Sequence, residues 1–212
     1  MTITSALLSF AVVAALLTIT PGLDSALVLR SALVQGRRLA IATSLGIITG
    51  AFVWGVAAAV GLAALLKASE VAFMVLRWVG AAYMIFLGAR MLWTRVIRPR
   101  DDAALDTTSR LSRGWWGSWS KGLFTNLLNP KVGAFYIAVL PQFIPQGSNE
   151  LGMGVLLAGV HGVESALWFG LIIFGAHGVR RWLDRPVVQR TIDGVTGTAL
   201  VGFGAALALS HD

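Results

Sequence analysis

The sequence predicts an all-α integral membrane protein with six transmembrane helices, arranged as two inverted repeats of three helices. Of its 212 residues, 56% are hydrophobic and 13% are charged, which is too apolar for an ordinary soluble domain. Six apolar segments are each long enough, at about 20 residues, to cross a hydrocarbon core of about 30 Å. The first segment of each half contains a proline, so each repeat is predicted to begin with a broken helix. The six segments are 3–29, 39–66, 71–93, 122–141, 151–177 and 191–209.

The first and fourth segments carry the two predicted breaks. Thr20, Pro21, Gly22 and Asp24 mark the first break, and Asn126, Asn129, Pro130 and Lys131 mark the second. A proline inside a helix leaves a backbone carbonyl without its partner, which in lipid is tolerated only where protein or a water-filled cavity satisfies it. Two proline-broken polar segments in corresponding positions are the strongest sequence indication of a transporter's binding site. These eight residues are therefore the predicted substrate site.

The second and sixth segments carry small residues four positions apart, at the spacing that lets membrane helices approach closely. We interpret these residues as packing positions rather than as parts of a site. They are Ala42, Gly46 and Gly50 in the second segment and Gly194, Thr198, Gly202 and Ala206 in the sixth.

The basic residues predict the orientation in the membrane. Fourteen of the seventeen lysines and arginines lie at or in the connections after the first, third and fifth segments. The positive-inside rule puts these connections in the cytoplasm and both termini outside it, in the periplasm. The net charge of +7 therefore reflects orientation in a lipid bilayer, and no nucleic-acid partner is predicted. The chain is predicted to be one domain, with repeats over 1–93 and 121–212 and a flexible cytoplasmic linker over 94–120.

Four ionisable residues inside the predicted spans are candidates for function, because a charge there costs about 2.5–3.5 kcal/mol. Asp24 is either a helix cap or a group for substrate recognition or proton coupling. Lys131 either binds a substrate carboxylate or neutralises Asp24. His161 and Glu164, three residues apart on one helix face, either relay a proton or form a polar packing pair.

The sequence gives little indication of redox, metal or hydrolytic chemistry. The absence of cysteine excludes disulfides, thiolate metal sites and dithiol redox chemistry. A metal held by Asp24, His161 and Glu164 lacks the usual ligand spacing, and Ser165, four residues after His161, lacks the motifs of a hydrolase. We therefore predict no metal, no cofactor and no enzymatic activity, and the residues alone favour a small secondary transporter.

The same residues resemble the lysine exporter and homoserine/threonine resistance family (LysE/RhtB) of bacterial amino-acid exporters. The resemblance lies in Thr20 to Asp24, in the Gly36-Arg37-Arg38 turn, and in the run from Gly122 to Lys131 followed by Leu140-Pro141-Gln142-Phe143. Leu23 departs from the pattern, since family members commonly carry a second proline there. The resemblance implies an inner-membrane exporter of an amino acid or a close derivative, driven by the proton gradient. An exporter of a metal cation or another small toxic solute is the alternative, and the sequence leaves open whether the chain forms a homo-oligomer.

Overall fold

The computed structural model describes residues 2–68, 70–97, 114–145, 147–183 and 185–209, and within those ranges it contains helices and turns but no strand. The predicted all-helical class is therefore confirmed. A short 3₁₀ turn covers Leu140–Phe143. The nine α-helices are α1 (Ile3–Ile19), α2 (Leu23–Val34), α3 (Arg37–Ala68), α4 (Glu70–Ile97), α5 (Trp115–Leu127), α6 (Pro130–Ala138), α7 (Glu150–Phe174), α8 (Ala176–Leu183) and α9 (Pro186–Leu209).

Both predicted breaks are present. α1 and α2 meet at an angle of 55°, and α5 meets the segment Pro130–Phe143 at 56°. At the first break, Pro21 has no N–H to continue α1, and Gly22 is the N-cap of α2, where no side chain caps the helix. At the second, Pro130 occupies the first turn of α6, and the Asn129 side chain accepts a hydrogen bond of 3.1 Å from the Lys131 backbone N–H.

The candidate spans agree with a membrane protein but support the six-span arrangement only in part. Among the described residues, two single helices and two bent pairs have the length and composition to cross a membrane. The single helices are Arg37–Gly61 of α3 and Glu150–Phe174, and each bent pair counts as one span. α4 and α9 are helical over the two remaining predicted spans.

Several predicted boundaries were wrong by a few residues. The predicted linker over 94–120 overlaps the end of α4 at Ile97 and the start of α5 at Trp115, and residues 98–113 lie outside the described residues. The fifth segment does not continue to residue 177, because α7 ends at Phe174 and the separate helix α8 follows. The helix over the sixth predicted segment, α9, begins at Pro186 rather than at residue 191.

Small residues set the closest helix crossings. α3 packs on α5 where a Cβ added at Gly46 would overlap the backbone of Trp119, and one added at Gly122 would overlap that of Thr43. The prediction of a packing role is thus confirmed for Gly46. In α9 the predicted packing role was wrong for Gly194 and Gly202, because a Cβ added at either would meet open space. The glycines of α9 that face α4 are Gly197 and Gly204.

Two apolar clusters fix the broken spans against the rest of the bundle. The first joins α1, α6 and α7 and contains Phe10, Phe135, Tyr136 and Leu157, all buried. The second joins α2, α3, α7 and α8 and contains, among others, Val28, Ile47, Phe169 and Ile172. Each half of the broken first span is thereby held against α7, and the polar break lies between the two clusters.

Candidate functional site

The two breaks meet at one cavity in the middle of the bundle. The cavity has a volume of about 30 Å³, enough for one or two water molecules. Most of the predicted site residues line it: Thr20, Gly22, Asp24, Asn126, Asn129, Lys131 and His161. Pro21 and Pro130 create the breaks on either side, so the structure brings the two separately predicted segments together.

Asp24 and Asn126 form the direct link between the two broken spans. Asp24 lies in the first turn of α2, where the helix dipole favours a carboxylate. The side-chain amide of Asn126, which is 2% exposed, donates a hydrogen bond of 2.8 Å to Asp24 Oδ2. The remaining oxygens, Asp24 Oδ1 and Asn126 Oδ1, are buried without a hydrogen-bond partner within the described structure. Two residues that line the cavity therefore each carry an acceptor that lacks a donor, and the acceptor of Asn126 lies against Gly50 of α3.

Lys131 caps the broken end of α1. Its Nζ donates to the carbonyl oxygen of Leu17 at 2.9 Å and to that of Thr20 at 3.1 Å. Leu17 lies four residues before Pro21, so its carbonyl is the one that Pro21 leaves without a partner. Within the described residues no direct ion pair joins Lys131 to Asp24, although the two charges are close enough to interact. The ammonium group also lies at the negative end of the α1 dipole.

Two residues of α9 reach this site, and the sequence interpretation missed both. Thr196, buried, lies with its Oγ1 2.7 Å from Thr20 Oγ1, which also donates to the Leu16 carbonyl oxygen at 2.6 Å. Asp193, one helical turn earlier, is 7% exposed and interacts electrostatically with Lys131. The available signal was an acid and a threonine three residues apart inside the sixth predicted segment, which the sequence analysis interpreted only for helix packing.

His161 and Glu164 lie on α7 but face different surroundings. His161 lines the central cavity, and its Nδ1 lies 2.8 Å from the hydroxyl oxygen of buried Tyr136. Glu164 lines a separate groove between α1 and α7, and its Oε2 is buried without a hydrogen-bond partner in the described part of the chain. Thr18 lines both the cavity and the groove. A proton relay between His161 and Glu164 remains a prediction, since the direct partner of His161 is Tyr136.

The site offers little to a metal ion in the described part of the chain. No three His, Cys, Asp or Glu side chains there are placed to hold one ion together. Asp24 and His161 share the central cavity, while Glu164 is outside it. The arrangement instead presents one ammonium group, one carboxylate and several amide and hydroxyl groups around a small polar space.

A helical membrane fold with a polar, internally charged cavity between two broken spans defines the class of multi-span translocator proteins. The family model described as LysE type translocator matches residues 15–211. The chain belongs to the LysE family.

Individual relatives match along nearly the whole chain. The membrane protein YrhP of Bacillus subtilis is 31% identical over 96% of this chain and 99% of its own length. The leucine efflux protein of Enterobacter sp. is 28% identical, with 96% and 95% covered. The homoserine/homoserine lactone efflux protein of Salmonella typhimurium is 30% identical, with 91% of each chain covered. No solved structure matches the chain.

Proposed function

We propose that this protein is a secondary transporter that exports an amino acid or a close derivative across the bacterial inner membrane, coupled to the proton gradient. The observation that carries the proposal is that Asp24 and Asn126, which line the cavity where the two broken spans meet, each have an Oδ1 acceptor without a donor in the described structure. Intramembrane ionisable groups in such positions usually mark a substrate pathway. Membership of a translocator family and relatives named as leucine and homoserine efflux proteins support this proposal.

The ammonium group of the substrate binds at Asp24 and Asn126. Asp24 Oδ2 accepts from the Asn126 amide, while Asp24 Oδ1 and Asn126 Oδ1 have no hydrogen-bond partner in the described structure. The Asn129 side chain is also close enough to interact with the Asp24 carboxylate. An ammonium group has three N–H donors and no acceptor, so it supplies what both oxygens lack. A bond between charged groups in a buried site is also about twice as strong as a neutral one.

The carboxylate group of the substrate binds at the start of α2 and at Lys131. The N-cap of α2 is Gly22, so the first backbone N–H groups of α2 lack the usual side-chain capping oxygen. Lys131 Nζ uses two of its three donors on the carbonyls of Leu17 and Thr20 and keeps one for an anion. A zwitterion thus finds both signs of partner.

The structure corresponds to a closed state of this cycle. Ligand sites usually have volumes of about 300–1,000 Å³, and the central cavity, at about 30 Å³, is far below that range. Substrate entry therefore requires the halves of the broken spans to separate. The bends of 55° and 56° place hinge points directly beside the charged residues, so opening and binding occur at the same position.

Proton coupling is assigned to Asp24, His161 and Glu164. The three are the acidic and imidazole groups of the central cavity and of the groove beside it. Asp24 can exchange a proton for a substrate ammonium, because both compete for the same oxygens. Glu164 is the second proton acceptor, because its buried Oε2 has no hydrogen-bond partner in the described structure. It lines the groove together with Thr18, which also lines the central cavity.

Orientation follows the basic residues, with the α2–α3 and α7–α8 turns cytoplasmic and both termini periplasmic. One contact supports placing the two turns on the same side: the Arg37 guanidinium lies over the Phe174 ring, 5.5 Å from its centre. Arg37 begins α3 and Phe174 ends α7. The six-span inverted repeat is part of the same proposal, and it is supported by α3 packing on α5 as α7 packs on α1.

The test is transport by purified protein in proteoliposomes, with an imposed pH gradient and single labelled amino acids, including leucine, homoserine and lysine. We expect gradient-driven movement of at least one of them, and at least tenfold slower movement with Asp24→Asn, which cannot ionise. Glu150→Gln removes an acid at the start of α7, away from the cavity, and is the matched control. Undiminished transport by Asp24→Asn, with the control normal, would overturn the assignment of the site.

A further inference from the structure

The groove between α1 and α7 has the properties of a second ligand site. Its volume is about 290 Å³, roughly ten times that of the central cavity and close to the range of small-molecule sites. Its walls are apolar except at two positions, Glu164 and Thr18. The apolar wall residues are Ala15, Ile19, Leu167, Trp168 and Leu171.

The groove opens toward the lipid. Leu167 and Leu171, which form one rim, are 72% and 56% exposed. They lie on α7, one of the single helices with the length and composition to cross a membrane, so their exposed faces meet hydrocarbon when the chain is in a bilayer. A ligand can therefore enter the groove sideways from the membrane, without passing through the central cavity.

The two polar residues of the groove each carry one buried oxygen that lacks a donor. Glu164 Oε2 and Thr18 Oγ1 are buried, and neither has a hydrogen-bond partner in the described structure. An unpaired carboxyl group beside hydrocarbon is costly, which makes a bound cation favourable there. A group with several N–H donors is needed to satisfy both oxygens at once, and a primary ammonium has three.

We propose that this groove binds a primary alkylamine, with the ammonium group on Glu164 and Thr18 and the alkyl chain along Leu167, Trp168 and Leu171. The site differs from the proposed substrate site, because the amine needs no carboxylate and its tail lies against lipid-facing residues. Anions and neutral alcohols lack the charge that Glu164 selects, and quaternary amines lack the N–H donors. Thr18, as the wall shared with the central cavity, is the point at which a bound amine would contact the transport site.

The experiment measures binding to the protein in lipid nanodiscs through quenching of tryptophan fluorescence by ω-bromooctylamine. Trp168 lines the groove, so bromine on the alkyl chain quenches it by contact, and the difference from a Trp168→Phe variant isolates its signal from the other tryptophans. We expect saturable quenching that becomes roughly tenfold weaker in affinity in Glu164→Gln, since a charge-assisted bond is lost. Glu150→Gln, an acid on the same helix outside the groove, is expected to bind like the native protein.

Two matched ligands and one further variant complete the test. ω-Bromooctanol and the trimethylammonium analogue of the bromoamine should both bind more weakly than the primary amine. Ala15→Leu, which fills the groove and leaves Glu164 in place, should also weaken binding. Equal binding by Glu164→Gln, by Ala15→Leu or by either analogue would overturn the proposal. No gradient is involved, so a failure of amino-acid export would leave this result unaffected, and the reverse also holds.

Discussion

Lys131 Nζ lies 2.9 Å from the carbonyl oxygen of Leu17, the group that Pro21 deprives of its helical hydrogen bond. Pro21 lies in the first predicted repeat and Lys131 in the second. The carbonyl that the break leaves open in the first repeat is therefore hydrogen-bonded by a side chain of the second repeat. The Thr20 carbonyl, at 3.1 Å, receives a second bond from the same ammonium group. The sequence analysis assigned the Lys131 ammonium group either to a substrate carboxylate or to Asp24. In the structure it also caps the broken end of α1.

Our first prediction is that Pro21 and Lys131 are energetically coupled. Lys131→Met leaves two buried carbonyls and the Asp24 charge without compensation, and we expect a loss of about 3–5 kcal/mol in unfolding free energy. Pro21→Ala restores an N–H that can bond to the Leu17 carbonyl, so the same lysine substitution should cost less in that background. Denaturant unfolding in detergent of the four proteins of the cycle measures the coupling.

Additive losses in that cycle would contradict the capping function of Lys131. Lys121→Met, which removes a lysine from α5 outside the central cavity, is the matched control. We expect its cost to be the same with proline or alanine at position 21.

The second prediction compares two glycines of one helix. A Cβ added at Gly197 would lie 2.9 Å from the Gly88 carbonyl oxygen and from the Leu92 side chain, so Gly197→Ala should force α4 and α9 apart and cost about 1–3 kcal/mol. Gly202→Ala meets open space and should be neutral or stabilise the helix by up to about 1 kcal/mol. Thermal unfolding of the two variants decides between them. A larger loss for Gly202→Ala would mean that the other face of α9 is packed.

The breaks could be predicted because they follow from local chemistry. Pro21 and Pro130 have no N–H wherever they lie, and Asn129 next to Pro130 is a sequence signal for a helix start. Those features are independent of tertiary structure, so both broken spans were located correctly. The grouping of Asp24 with Asn126 followed from the assumption that the two breaks meet.

The remaining features depend on how the helices face each other, which one sequence does not encode locally. A four-residue spacing of small residues indicates a close helix crossing but not which helix face is used. The sequence analysis therefore assigned the packing face to Gly194 and Gly202, whereas the structure places Gly197 at the crossing. Asp193 was overlooked because its burial depends on the helices that pack against α9, which begins at Pro186, and nothing beside it in the sequence shows that packing. The capping of α1 by Lys131 spans the two repeats and has no sequence signal.

The third prediction concerns orientation, and it uses the absence of cysteine from the native chain. Single cysteines at Arg38, exposed at the start of α3, and at Ser148, in the turn before α7, should lie on opposite sides of the membrane. A membrane-impermeant maleimide applied to intact cells should label Ser148→Cys and not Arg38→Cys. Permeabilised cells, in which both react, provide the control. Labelling of Arg38→Cys in intact cells would reverse the proposed topology.

The last prediction separates proton coupling from substrate binding through Glu164. Its carboxyl group lies outside the central cavity, so Glu164→Gln removes a proton acceptor without changing the groups proposed to bind the amino acid. Gradient-driven movement needs net proton transfer, whereas exchange of labelled for unlabelled substrate does not. We therefore expect Glu164→Gln to lose gradient-driven transport by at least tenfold and to keep exchange within about twofold of the native rate.

Proteoliposomes loaded with unlabelled substrate, measured with and without a pH gradient, give both quantities for one preparation. Glu150→Gln should preserve both, since it retains Glu164. Equal loss of exchange and driven transport would assign Glu164 to substrate binding, and native behaviour in both would remove it from the mechanism.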